Sequence, residues 1–237
     1  MLSLTAPPAL ADTSPPDGER AQVAFDRDEN YALVVGVDRY SKINPLNYAV
    51  VDATRLAERF EAQGYEVQLL TDYEASPDEI LDRLRTLIEV ITNDGRDERG
   101  NLVVAFSGHG FRQDGENYLA TSRTDPTDLT GTALPMSRLK ALLSESPVRQ
   151  RVMFIDACRN DPSRGVLPNQ RFVVDDDDAE GLAILYSTGA GSLSWEDPAL
   201  GQGVFSYYLT EGLRGAAADA QGTVTFDGLY RYVREEV

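Results

Sequence analysis

The chain has 237 residues, room for one large α/β domain or two small ones, and its 42% hydrophobic and 26% charged residues are the balance of a globular protein. A net charge of −17 argues against a nucleic-acid partner and favours basic peptides, and no run approaches the ~18 apolar residues of a membrane span. A single cysteine, Cys158, and a single histidine, His109, exclude an internal disulfide and a structural Cys/His zinc site.

Residues 1–28 are rich in Pro, Ala, Asp and Ser and read as a disordered leader. Ala9-Leu10-Ala11 resembles a secretory cleavage site, but a charged start is missing and Pro7-Pro8 break the apolar part. The leader is therefore either a signal-peptide remnant of an exported protein or a plain tail, and the compartment stays open. Tyr31–Val37 reads as a buried strand and Asn47–Gln63 as a helix ended by Gly64. Tyr65–Leu70 is a second strand. Ser76-Pro77-Asp78-Glu79 has the form of a capping box and starts a helix with Ile80, Leu84, Leu87, Ile88 and Ile91 on one face. Asn101–Phe106 is a third strand, followed directly by Ser107-Gly108-His109-Gly110. Asn117–Ala120 is a short strand and Ser137–Leu143 a helix. Arg151–Ile155 is a buried strand, with Asp156-Ala157-Cys158 at its carboxyl end. Residues 159–180 read as an exposed loop, Leu182–Tyr186 as a strand, and Gly203–Leu213 and Phe226–Glu236 as helices. Val237 closes a helical pattern without a cap, so a continuation of the natural chain is expected. Strands alternating with helices imply an α/β fold with a mostly parallel sheet covered on both faces.

In such sheets functional groups gather beyond the carboxyl ends of the strands. His109 and Cys158 each follow an apolar run at that end. A lone cysteine is ordinarily a small buried hydrophobe, and a lone histidine a surface or satisfied core residue. Here His109 stands between two glycines, which allow a substrate backbone to approach, and Cys158 precedes Arg159, whose charge lowers a thiol pKa.

Three segments carry a family resemblance. Ser107-Gly-His-Gly110 and Asp156-Ala-Cys-Arg159 each follow an apolar strand, and His109 lies 49 residues before Cys158. Caspases pair a cysteine signature with a histidine about 50 residues upstream. The third segment is Tyr186-Ser-Thr188, Ser194-Trp-Glu-Asp197 and Gly203–Leu209, which is similar to the caspase small subunit. In order over residues 29–237, these features resemble the caspase-like cysteine peptidases, in the form of metacaspases and their bacterial relatives. Asp156 and Asn160 depart from the caspase pattern, which has Gln and Gly there.

The resemblance implies a three-layer αβα fold with about six strands. It also implies a large-subunit-like part at 29–172, a linker at 159–180 and a small-subunit-like part at 181–237. It implies an endopeptidase that acts through a thioester, with Cys158 as nucleophile, His109 as general acid/base, and the N–H groups of Gly110 and Cys158 as oxyanion hole. A backbone carbonyl orients the imidazole in this family, and the chemistry needs no metal or cofactor. Leu46–Asp52 is similar to the metacaspase segment whose terminal Asp lines the primary pocket. Asp52 and Asp156, with Ser107 near them, then receive Arg or Lys of a protein or peptide substrate. Ser194, Trp195 and Glu196 complete the substrate-binding set, and Glu196, where caspases have an arginine, repels a substrate aspartate. Read without the family, Asp52 is an exposed helix residue and Asp156 a strand-end cap.

Arg164 and Arg171 in the linker are candidate self-cleavage sites. Some metacaspases require calcium, but the run Asp175–Asp178 lacks the spaced ligands of a known calcium loop and reads as solvated linker. The family leans to a monomer. The alternatives are a catalytically silent caspase-like scaffold and an unrelated α/β hydrolase or transferase; no Gly-x-Ser-x-Gly elbow, phosphate loop or dinucleotide fingerprint supports the latter.

Overall fold

The structure, a computed structural model, describes residues 22–23, 30–94, 100–148, 150–160, 181–187, 196–197 and 200–237, with 22–23, 158–160 and 196–197 entering as backbone. In chain order the strands are β1 (Gln22–Val23), β2 (Asn30–Gly36), β3 (Glu66–Thr71), β4 (Asn101–Gln113), β5 (Glu116–Leu119), β6 (Leu134–Pro135), β7 (Gln150–Asn160), β8 (Leu182–Tyr186), β9 (Glu196–Asp197), β10 (Gln202–Gly203) and β11 (Thr223–Val224). The helices are α1 (Ala49–Ala62), α2 (Pro77–Asp94), α3 (Leu129–Thr132), α4 (Met136–Ser144), α5 (Val204–Glu211) and α6 (Phe226–Glu236).

Seven strands form the central sheet. Five run parallel in the order β3-β2-β4-β7-β8, and the far end of β4 turns antiparallel through β5 to β6. Two short pairs, β1 with β11 and β9 with β10, stand outside it. The strands alternate as the pleat requires. Leu33, Val35, Leu102, Val104 and Phe106 face α2 and α4, in a core with Leu84 and Leu139. Ala32, Val34, Val103, Ala105, Val152 and Phe154 face α1, α5 and α6, in a core with Phe60, Leu209 and Leu229. A sheet coated on both faces explains why its strands read as continuous apolar runs.

Local chemistry sets the helix ends. Ser76 Oγ accepts the Glu79 N–H at 3.1 Å, one half of a capping box. Gly64, at φ +88°, terminates α1 in the left-handed conformation that glycine adopts without strain. Among the described residues no helix is long and apolar enough to cross a membrane.

Four boundaries depart from the sequence reading, the first at Gln22–Val23, which lies inside the stretch 1–28 read as a disordered leader but pairs as β1 with β11. Strand β4 does not stop at Phe106 but runs on through His109 to Gln113, and β7 runs through Cys158 to Asn160. These extensions lack apolar alternation and are held by their mutual pairing. Residues 159–160 therefore belong to a strand and not to the loop. The helix expected over 203–213 is α5, continued by a π turn at Gly212–Ala216.

Candidate active site

Sheet order places a switch point between β2 and β4: the chain leaves β2 through α1 towards β3, while β4 lies on the other side. Such a point opens a crevice at the carboxyl ends of the strands. Gly36 closes β2 there, where a Cβ would stand 2.6 Å from the Ala49 carbonyl oxygen and 2.6 Å from Ala53 Cβ. The missing side chain lets the first turn of α1 lie on the strand end and carries Asp52 over the crevice. Asp38, just beyond β2, fixes that turn by accepting the Ala49 N–H at 2.8 Å and the Val50 N–H at 3.2 Å.

Position 109 sits in a gap of the ladder. On one edge β4 pairs with β2 as far as Ser107 and with β5 from Gly110 onward. His109 lies between, and its N–H is taken by the Tyr40 hydroxyl at 2.9 Å, which itself donates to the Val37 carbonyl at 2.8 Å. The Tyr40 ring tilts against the imidazole with 5.0 Å between centroids. Burial holds the phenol well above its ordinary pKa, so it stays a neutral hydroxyl. His109 Nε2 meets the Asn44 carbonyl oxygen at 2.9 Å. A carbonyl only accepts, so Nε2 carries the hydrogen and, in the neutral ring, Nδ1 carries the lone pair. Pro45 restricts Asn44 to extended backbone, which limits where that carbonyl can point.

On the other edge of β4 the partner is β7, in unbroken parallel register from Asn101↔Gln150 to Phe111↔Asn160. Within that register His109 pairs with Cys158, Ser107 with Asp156 and Gly110 with Arg159. Neighbouring strands lie about 4.8 Å apart, so these are adjacent backbone positions. Gly110 also pairs with Leu119 of β5.

One pleat step before His109 and Cys158, two carboxylates meet. Asp52 is 4% exposed and Asp156 5% exposed. Both Asp52 oxygens share the Gly203 N–H at 3.1 Å, and Asp156 Oδ2 accepts the Ser206 hydroxyl at 2.9 Å. Burial, then repulsion from Asp156, pushes the Asp52 carboxyl up to about 8, against a smaller lowering by the Gly203 N–H. Together with Ser107 and Ser206, the pair bounds a small cavity, with room for about one water molecule, whose apolar floor includes Val34, Phe154 and Leu209.

Of the residues singled out in the sequence, Asp52, Ser107, Asp156, His109, Gly110 and the backbone of Cys158 therefore collect at one crevice. Asp52 is not the exposed helix residue of its alternative reading. Glu196 is in register with Gly203, the residue that touches Asp52. Ser194, Trp195, Arg164, Arg171 and the run Asp175–Asp178 lie outside the described residues. Sequence reasoning missed Tyr40, Asn44, Gly203 and Ser206 as individual residues. Asn44-Pro45 was a usable signal, whereas nothing local marks Ser206.

The fold and this crevice can be set beside known proteins. Residues 29–237 match the model of the caspase domain, peptidase family C14. The chain belongs to that family. A probable protease of a Desulfuromonadales bacterium is 27% identical over 245 residues. The match takes in 88% of this chain but 30% of that protein, so the chain spans under a third of this relative's length. Caspase-1 from Spodoptera frugiperda superimposes with a TM-score of 0.65 at 17% identity, over 96% of this chain and 84% of that one, a likeness of fold.

Proposed function

We propose that this chain is a cysteine endopeptidase that cleaves after arginine, and less readily after lysine, with Cys158 as nucleophile and His109 as general acid/base. The observation that carries the reading is the register pairing of His109 with Cys158 on adjacent parallel strands, beside a buried carboxylate pair. With Nε2–H given to Asn44, the lone pair on Nδ1 is the one that takes the Cys158 proton. The thiolate attacks the scissile carbonyl, and the oxyanion is met by the N–H groups of Gly110 and Cys158. The protonated imidazole then gives its proton to the leaving amine, a thioester remains, and water releases the acid.

The substrate cation is placed by Asp52 and Asp156. An ionised carboxylate offers about four acceptor sites, and one shared N–H leaves Asp52 with capacity for a guanidinium. A buried carboxylate pair favours a cation strongly and rejects an aspartate side chain.

The test is a panel of fluorogenic peptides differing only at the cleaved residue, assayed with and without calcium. Turnover is expected in the order Arg, then Lys, with essentially none after Asp, and Cys158→Ala should remove all of it. Preferential cleavage after Asp would refute the pocket, and hydrolysis that survives Cys158→Ala would refute the mechanism.

A further inference from the structure

Asp72, the residue after β3, stands in a backbone conformation that glycine adopts more easily. Two described residues other than glycine are left-handed, Asp72 at φ +46° and Asp114 at φ +51°. Asp114 is explained locally: with Gly115 it forms the two-residue turn that joins β4 to β5, and such hairpins need positive φ at both positions. Asp72 is in no hairpin. It opens a single tight turn, closed by the Ala75 N–H on the Asp72 carbonyl at 3.0 Å, which glycine would form with less strain. What glycine lacks is the carboxylate. Asp72 Oδ1 accepts two successive main-chain N–H groups, those of Asp38 and Arg39, each at 2.9 Å. The Asp72 carbonyl also takes the Ser122 hydroxyl. The ion pair with Arg39, 3.7 Å long and with the guanidinium exposed, adds little.

Asp38 is where the loop behind His109 begins and ends. Its carbonyl accepts the Leu46 N–H at 3.0 Å, which closes residues 38–46 into a loop that carries both Tyr40 and Asn44. These two meet the His109 N–H and Nε2. Burial chiefly keeps the Tyr40 phenol protonated, and the charges of Asp38 and Asp72 add to it, so Asp72 lies within electrostatic reach of that hydroxyl.

Resting on the reading of His109 and Cys158 above, we infer that Asp72 is a positioning residue for the general acid/base: it fixes the Asp38–Arg39 backbone, and with it the Tyr40 hydroxyl and the Asn44 carbonyl that hold the imidazole. The left-handed backbone turns the carboxylate back onto that loop, a strain retained where the surrounding structure uses it. Asp52 is held separately, because α1 packs on the sheet through Ala53, Leu56 and Phe60. Asp72 therefore bears on the chemical step and not on substrate binding.

The experiment measures kcat, KM and urea stability of the whole chain for wild type, Asp72→Asn, Asp72→Ala and Asp72→Gly, on the best-cleaved peptide of the panel. Asp72→Ala and Asp72→Gly should each lower kcat about tenfold with KM changed by less than about twofold, because a shifted imidazole slows proton transfer. The glycine variant should nevertheless unfold at higher urea than the alanine variant, since glycine relieves the left-handed strain. Asp72→Asn keeps an acceptor oxygen and tolerates the same backbone, so its kcat should stay within about twofold of wild type. A kcat that follows stability, with glycine nearer wild type than alanine, overturns the inference and makes Asp72 a support of the fold alone. So does a glycine variant that does not fold, an asparagine variant as slow as alanine, or a loss that falls on KM instead of kcat. Hydrolysis that survives Cys158→Ala removes the reading of His109 and Cys158, and this inference with it.

Discussion

Asp52 is a carboxyl group enclosed by charges of mostly its own sign. Asp156 faces it from β7 and Asp38 from the segment after β2; Arg55, on its own helix, and the Gly203 N–H pull the other way. Burial, the largest cause, together with this balance of charges raises its pKa to about 8, so the carboxyl carries a proton at neutral pH. A cationic side chain favours the ionised form and expels that proton. KM for an arginine peptide should therefore fall as pH rises towards about 8 and level off above it. Asp52→Asn should flatten that profile and lower kcat/KM for arginine by about 100-fold, the cost of losing one partner of a buried charge pair. The same group bears on stability with a definite sign. Its folded pKa lies above its ordinary value of 3.8, so between there and about 8 the folded chain binds more protons than the unfolded one. Stability then falls as pH rises through that window. Asp52→Asn removes this loss, and its Tm relative to wild type should climb from pH 5 to pH 8. An unchanged Tm difference across that range would show that Asp52 is not protonated in the folded chain.

At the scale of elements, the site depends on two strands that outrun their own apolar residues. β4 is 13 residues long and β7 11, and in each the last part is polar or glycine-rich. Single-sequence periodicity ends where alternation ends, so Ser107–Gly110 and Asp156–Arg159 were legible as motifs but not as strands. The apolar runs before them, the alternation of strand and helix, and the capping of α2 were legible because each is written locally. The two-residue strands and the Gly203–Asp52 contact, spanning 151 positions, leave no periodic trace. The segment from Asp38 to Tyr48 is the third support. It is tied down by Ser41 N–H to the Ser122 carbonyl at 2.8 Å and by the ion pair of Lys42 with Asp125. That pair and the Thr127 bonds hold the Asp125 carboxyl down at about 2. From this anchored segment Tyr40 fills the gap in the β4 edge and Asn44 meets the imidazole. Tyr40→Phe keeps the ring but strands the His109 N–H, a cost of about 1–3 kcal/mol in stability. Because His109 also shifts, kcat should drop about tenfold with KM little changed. If denaturant unfolding shows the stability loss while kcat holds, Tyr40 supports the fold and not the imidazole.

At the scale of the whole molecule, charge is spread far more widely than the pocket. The chain has 39 acidic against 22 basic residues, a net charge of −17. A field of that sign raises the local concentration of cationic peptides around the chain, whereas on the proposed reading the pair Asp52 and Asp156 acts only on a side chain already in the crevice. The two contributions separate with salt. Surface charges are screened beyond about 10 Å at 0.1 M ionic strength, while a buried pair is screened much less. Raising salt from about 0.02 M to about 0.5 M should lower kcat/KM for arginine peptides by roughly tenfold, through slower capture, with kcat at saturation unchanged. Alkylation of Cys158 by neutral iodoacetamide should keep its rate over the same range, since a neutral reagent feels no steering. A flat salt response of kcat/KM would mean that the acidic surface serves solubility alone and that the pocket by itself attracts the substrate.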